Sequence, residues 1–168
     1  LYLSQNWYSI RPDLGRLDSS ASILLIGQGQ GSFRAVNSSH SGLVVLGESR
    51  NAIVADFNQD GRSDIVATQT LGQSHFYLGQ VEKRGIRVVI DTEVGLAKRL
   101  GAALHLIYSD GTFSPSRYLH SGDGVLSHCS TEAVLGFNEW PSSIQVLWAN
   151  GDKQMISVQP GIYEYIIR

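Results

Sequence analysis

Apolar residues in this chain come in short runs, and each run is bounded by Gly, Asn, Asp or Ser or lies a few residues from them. Examples are Ile23-Leu24-Leu25-Ile26, Ile53-Val54-Ala55, Ile65-Val66-Ala67, Phe76-Tyr77-Leu78, Arg87-Val88-Val89-Ile90 and Ile144-Gln145-Val146-Leu147-Trp148. Such runs, rich in β-branched and aromatic side chains, have the length and composition of strands and are too short for ordinary helices. In the last of them Ile144, Val146 and Trp148 alternate, which assigns them to one buried face of a strand. Asn150-Gly151 follows, a strong hairpin signal, so Met155-Ile156-Ser157-Val158 is read as the returning strand. Leu1-Tyr2-Leu3 reads as the first strand and Tyr163 to Ile167 as the last. Only Thr92 to Arg99 looks mildly helical. The 18 glycines supply the many turns that such a chain needs. The expected class is all-β.

The 168 residues suffice for one or two small domains, with enough apolar burial that no disulfide framework is required. The single cysteine, Cys129, excludes an internal disulfide. The formal charge is −2 and the 13 Lys and Arg are scattered, against the concentrated basic face of a nucleic-acid binder. No stretch approaches the roughly 18 apolar residues of a membrane span. The chain starts at Leu1 directly in strand-like sequence, which suggests a fragment or processed product of a longer parent. Composition changes near Glu82-Lys83-Arg84-Gly85, and the expected domains are residues 1–82 and 83–168.

Between two of the strand-like runs lies Asp56-Phe57-Asn58-Gln59-Asp60-Gly61-Arg62-Ser63-Asp64. Side-chain oxygens stand at Asp56, Asn58, Asp60 and Asp64. Ca²⁺ is a hard cation that takes roughly six to eight oxygens, and a spacing of two along a curled loop lets alternate side chains converge on one. Gly61 would supply the sharp turn, and the Arg62 carbonyl could then face inward. Three carboxylates held together repel one another unless a cation intervenes, which is the physical reason to expect Ca²⁺. The twelfth position would be Ala67, where an EF-hand needs a bidentate Glu, and the flanks read as strands, so this is no EF-hand. Mg²⁺, with its stricter octahedral demand, fits less well. The competing reading is a solvated Asp/Asn-rich hairpin turn.

A weak internal repeat is visible. Leu1-Tyr2-Leu3-Ser4-Gln5 resembles Ile65-Val66-Ala67-Thr68-Gln69, and Leu25-Ile26-Gly27-Gln28 resembles Tyr77-Leu78-Gly79-Gln80. Other motifs weigh less. Gly27, Gly29 and Gly31 lack the dinucleotide spacing and read as a hairpin turn. His40-Ser41 and His128-Cys129 are neighbours on the chain, and on a strand neighbours point to opposite faces, so neither couple is set for proton transfer. None of the five His has the close pairing of a zinc site. Trp7-Tyr8 and Trp140 read as packing in a core or domain interface, or else as exposed rings for sugar or protein contact. Asn37-Ser38-Ser39 is a glycosylation sequon, relevant to a eukaryotic secretory protein.

On its Asp/Asn loop, its Gly27-Gln28-Gly29-Gln30-Gly31-Ser32-Phe33 segment and Ser41-Gly42-Leu43, the stretch from about Leu1 to Gln80 resembles the FG-GAP or VCBS repeat of integrin-type β-propellers. From about Gly85 to Arg168 the chain resembles the ASPIC/UnbV domain, through Gly85-Ile86-Arg87-Val88-Val89, Gly101-Ala102, Ser121-Gly122, Leu126-Ser127, Leu135-Gly136 and Val146-Leu147-Trp148. It departs from that pattern at Lys98-Arg99-Leu100, Gly136-Phe137-Asn138 and Trp148-Ala149-Asn150-Gly151. The resemblance implies partial propeller blades with a Ca²⁺-binding hairpin loop, then a β-sandwich-like domain. It implies a secreted, periplasmic or cell-surface protein, with a protein or carbohydrate as its partner. The expected function is non-enzymatic: a calcium-binding extracellular module for adhesion, scaffolding or ligand display. The alternative is a pair of accessory domains of a larger secreted enzyme, such as one acting on polysaccharide.

Overall fold

The computed structural model describes residues 1–6, 13, 21–80, 82, 84–122 and 132–168. Along the chain run β1 (Tyr2–Leu3), β2 (Ile23–Gly29), β3 (Ser32–Val36), α1 (Ser38–Ser41), β4 (Ser49–Ala55), β5 (Asp64–Gln69), β6 (His75–Tyr77) and β7 (Ile86–Ile90). Then come α2 (Leu96–Arg99), β8 (Ala103–Ile107), β9 (Arg117–Tyr118), β10 (Glu132–Leu135), β11 (Ser143–Leu147), β12 (Lys153–Ser157) and β13 (Glu164–Ile167). Of the described residues, 42% are strand and 6% helix, in small sheets that do not close into a barrel, so the all-β class holds. All six apolar runs singled out in the sequence contribute to strands.

The chain divides into two compact units. The first holds the described residues of Leu1–Val54 and Asp64–Leu78; the second holds Ala55–Ser63 with the described residues of 79–122 and 132–168. The passage at Leu78–Gly79 comes slightly ahead of the boundary expected after Glu82, and residues 55–63 group with the second unit.

In the first unit, one sheet has the order β1-β2-β3 and another β4-β5-β6. The glycine-rich segment is a hairpin turn: β2 and β3 pair antiparallel, and Gln30 (φ 51°) and Gly31 (φ 75°) take the left-handed conformations that two-residue turns require. Asn37 caps α1, its Oδ1 accepting the Ser39 amide at 2.9 Å, which gives the sequon a local structural role. The buried apolar residues of this unit, among those described, are Leu43, Val45 and Ala67. That is a thin core, and Ile26, Phe33, Leu46, Leu71 and Phe76 all remain exposed.

The second unit carries the main core. Its two sheets are β10-β7-β13 and β12-β11-β8-β9. Ile86, Val88 and Ile90 of β7, Leu104 and Leu106 of β8, Ala133 and Leu135 of β10, and Ile144 and Val146 of β11 form one buried cluster with Trp148 and Ile167. The period of two is the cause: each strand turns every second side chain toward the facing sheet. Removing one such aliphatic side chain from water contributes about 1.5–3 kcal/mol. Trp148 is 3% exposed, as its alternation with Ile144 and Val146 requires. Asn150-Gly151 closes the β11–β12 hairpin, with Gly151 at φ 92° and the Trp148 amide donating to the Asp152 carbonyl at 2.8 Å.

The partner of the last strand and the extent of helix are fixed only by the structure. The last strand, β13, does not add to the sheet of its sequence neighbours; it pairs parallel to β7, Glu164 beside Arg87 and Ile167 beside Ile90. Arg87 then bridges Glu132 (2.7 Å) and Glu164 (2.6 Å) across the three strands. The mildly helical segment shrinks to Leu96–Arg99, while the helix at Ser38–Ser41 was not foreseen. Among the described residues no helix is long and apolar enough to cross a membrane.

Candidate metal centre

The loop joining β4 to β5 begins at Asp56. One oxygen of the Asp56 carboxylate accepts the Asp60 amide at 3.0 Å and the other accepts the Gly61 amide at 2.8 Å. These two bonds curl the chain around Asp56. Gly61, at φ 80°, supplies the left-handed turn anticipated for it, and Gln59 shares that region at φ 59°. For a side chain other than Gly, such a backbone is disfavoured by roughly 1–2 kcal/mol.

Asn58 and Asp60 complete the curl. Asn58 Oδ1 accepts the Asp60 amide at 3.2 Å, and Asn58 Nδ2 donates to Asp60 at 2.9 Å. Asp60 accepts the Arg62 amide and Arg62 Nη1, both at 2.9 Å. Withdrawal from water would push the Asp60 carboxyl up, but the donated bonds from Asn58 and Arg62 outweigh it and hold that carboxyl below its ordinary range. Asp64 opens β5 and is buried, at 1% exposure.

Glycines let this loop sit tightly on the residues leading into β7. The Gly85 amide donates to the Gly61 carbonyl at 2.7 Å. A Cβ on Gly79 would stand 2.8 Å from the Ser63 carbonyl oxygen, and one on Gly85 would stand 2.6 Å from a Val134 methyl. In the sequence Gly79 stood only in the internal repeat, and Gly85 only at the domain boundary and in the ASPIC/UnbV-like segment; neither was read as a close-packing position. Their signal is faint, because a glycine in a strand-to-strand connection is equally a turn former.

Of the five candidate ligands, the loop gathers Asp56, Asn58, Asp60 and Arg62 into one hydrogen-bonded set. It does not bring three acidic side chains to a point: among the described residues no group of three His, Cys, Asp or Glu is placed to hold a metal ion. The Arg62 guanidinium was the residue the sequence undervalued, having been assigned only a carbonyl. It provides the positive charge beside Asp60.

The donor set nevertheless has the chemistry that a calcium site needs. Every candidate atom is a carboxylate, amide or carbonyl oxygen, and each carboxylate oxygen that accepts one N–H keeps further acceptor capacity. Ca²⁺ at Asp60 would compete with the Arg62 guanidinium for the carboxylate. Arg62→Ala is therefore expected to lower the ion-free stability by less than about 1 kcal/mol, since the pair is partly exposed, and to tighten Ca²⁺ binding. Unchanged affinity in a calorimetric comparison with the parent would show that the two cations do not compete.

Among the described residues, the other sequence candidates do not assemble a second site. His40 Nδ1 lies 3.3 Å from Ser39 Oγ, while Ser41 Oγ accepts the Leu43 amide. Trp140 is half-buried, packed between Phe137 (4.8 Å between centroids) and Tyr163 (5.2 Å) against the core of the second unit, the packing alternative weighed for it. Trp7-Tyr8, Leu126-Ser127 and His128-Cys129 lie outside the described residues. No protein-family model matches the chain, and no curated protein is similar to it in sequence.

Proposed function

We propose that this chain is a non-enzymatic, calcium-binding module of an extracytoplasmic protein, built from FG-GAP- or VCBS-like propeller strands and an ASPIC/UnbV-like sandwich. The observation that carries the proposal is the Asp56 carboxylate accepting the amides of Asp60 and Gly61, with Gly61 left-handed. Bonds of this kind also brace ordinary turns, as at Asp110 and Thr112; what favours a cation loop here is that they hold Asp56 beside the oxygens of Asn58 and Asp60. The side chains of Asp56, Asn58, Asp60 and Asp64 and the carbonyl of Arg62 would hold the Ca²⁺. The bound ion would supply positive charge to the carboxylates of Asp56, Asp60 and Asp64. Its role is structural, and the partner recognised by the module is a protein or carbohydrate.

Thermal unfolding with and without Ca²⁺ tests this. A ligand that binds only the folded state adds about 1.4 kcal/mol at ten times its dissociation constant. Asp60→Ala is expected to abolish that gain, and in chelator it is expected to cost little, because the bonds that Asp60 makes to Asn58 and Arg62 are partly exposed to water. Equal calcium responses in parent and variant would refute the assignment of Asp60.

A further inference from the structure

At one end of the second unit, the turn that follows β8 and the segment that follows β10 border an open cleft of about 630 Å³. Tyr108 and Ser114 line it from the turn, Gly136, Phe137 and Asn138 from the segment, and Glu82 from the stretch before β7. Ser114 fixes the turn: its Oγ accepts the Leu106 amide at 2.9 Å and donates to the Pro115 carbonyl at 3.1 Å. The chain leaves β9 and enters β10 at the opposite end of the unit, Tyr118 beside Ala103 and Glu132 beside Val89. All of the lining residues are among those described.

The cleft combines aromatic surface with neutral polar groups. Tyr108 and Phe137 are half-buried and pack against the core, which restrains their rings. Phe137 also packs on Trp140 and Trp140 on Tyr163, so three rings brace one another at this end. The Tyr108 hydroxyl and the Asn138 amide are neutral hydrogen-bonding groups that can both donate and accept. Glu82 is exposed and is the one charged side chain among the lining residues; no Lys, Arg or His stands there. An anion would find no cation in the cleft, and its charge would be repelled by Glu82. None of the lining residues belongs to a strand, so a peptide backbone would find no ladder to join.

We infer that this cleft binds a neutral saccharide, as a short oligosaccharide or the end of a glycan chain. The apolar C–H face of a sugar ring lies against Phe137 or Tyr108, and its hydroxyls donate to the Glu82 carboxylate and exchange bonds with Asn138. The volume falls within the roughly 300–1,000 Å³ of small-molecule sites, which likewise join aromatic walls to a few polar groups. The inference rests on the proposed reading of the chain as a binding module, and it selects carbohydrate over protein as the partner. It needs no calcium, because none of Asp56, Asn58, Asp60, Arg62 and Asp64 lines the cleft.

The test is saturation-transfer NMR of the full chain with cellotriose, maltotriose, xylotriose, mannotriose and chitotriose in its N-acetylated form, and with trigalacturonic acid as the anionic counterpart. At least one neutral member is expected to bind with a dissociation constant of roughly 1 mM, and the acid at least about tenfold more weakly. Glu82→Gln should narrow that difference. Gly136→Leu should abolish the neutral signal at an unchanged unfolding midpoint: nothing lies within 4 Å of a Cβ on Gly136 and its backbone is not left-handed, so the fold accommodates a side chain there. Absence of transfer to every neutral member would overturn the inference and leave a protein as the partner. Equal binding of the acid, or full binding by a folded Gly136→Leu, would overturn it as well. Repeating the titration in chelator separates the two readings. Saccharide binding there, with no calcium heat from the same chain, would refute the metal site alone; calcium heat without saccharide binding would refute the cleft alone.

Discussion

Leu104→Ala is expected to destabilise the second unit by about 2–5 kcal/mol, a large share of what a domain of this size has to lose. Leu104 is fully buried on β8, paired with Val146 of β11 on one side and Arg117 of β9 on the other. Both sheets contribute to the cluster around it, so neither can close the cavity without moving its partner. Urea unfolding followed by tryptophan fluorescence, to which Trp148 of the same cluster and Trp140 packed against it contribute, reads the loss. Leu96→Ala, at a site 56% exposed, is the matched control, with an expected change within about 0.5 kcal/mol. Similar losses at both positions would mean that the two sheets do not share the core described.

Gly85→Ala is expected to cost about 1–3 kcal/mol although it adds a single methyl group. Its Cβ would lie 2.6 Å from a Val134 methyl and 3.0 Å from the Leu135 carbonyl oxygen, and the second of these is backbone that cannot rotate away. β7 and β10 would have to part where Leu135 pairs with Ile86. The same movement would strain the bond from the Gly85 amide to the Gly61 carbonyl, so the Asp56–Asp64 loop should exchange its amides faster. Gly95→Ala, which has open space around it, is expected to be neutral or slightly stabilising through the unfolded chain. If Gly85→Ala and Gly95→Ala behave alike, the contact between the loop and the start of β7 is not a structural constraint.

Strands were legible because their cause is local. Ile144, Val146 and Trp148 alternate in sequence and all three are buried, and Asn150-Gly151 forces the hairpin that follows. Partners of the strands were legible only where a short turn fixes them. Nothing local says that Glu164–Ile167 lies parallel to Ile86–Ile90, since that pairing depends on which edge of β7 is left open after β10 is placed. The two four-residue helices fall below the length at which periodicity speaks.

The candidate loop divides in the same way. Gly61 at φ 80° was foreseen from the turn that alternate ligands require. The engagement of Asp60 with Arg62 was not, because spacing gives the positions of oxygens and not the cation that they face. The tight seat provided by Gly79 and Gly85 depends on residues that approach from elsewhere in the chain, which no local pattern records.

Calorimetric titration of the full chain with CaCl₂ tests the central claim most directly. The expected result is one ion per chain with a dissociation constant of roughly 10⁻⁴–10⁻³ M, the range of extracellular calcium modules. Asp60→Ala should lose the binding heat, while Asp110→Ala should keep it, because Asp110 only closes a turn with Thr112. No heat beyond dilution in millimolar Ca²⁺, from a chain shown to be folded by amide exchange, would contradict the assignment and leave the loop a hydrogen-bonded turn.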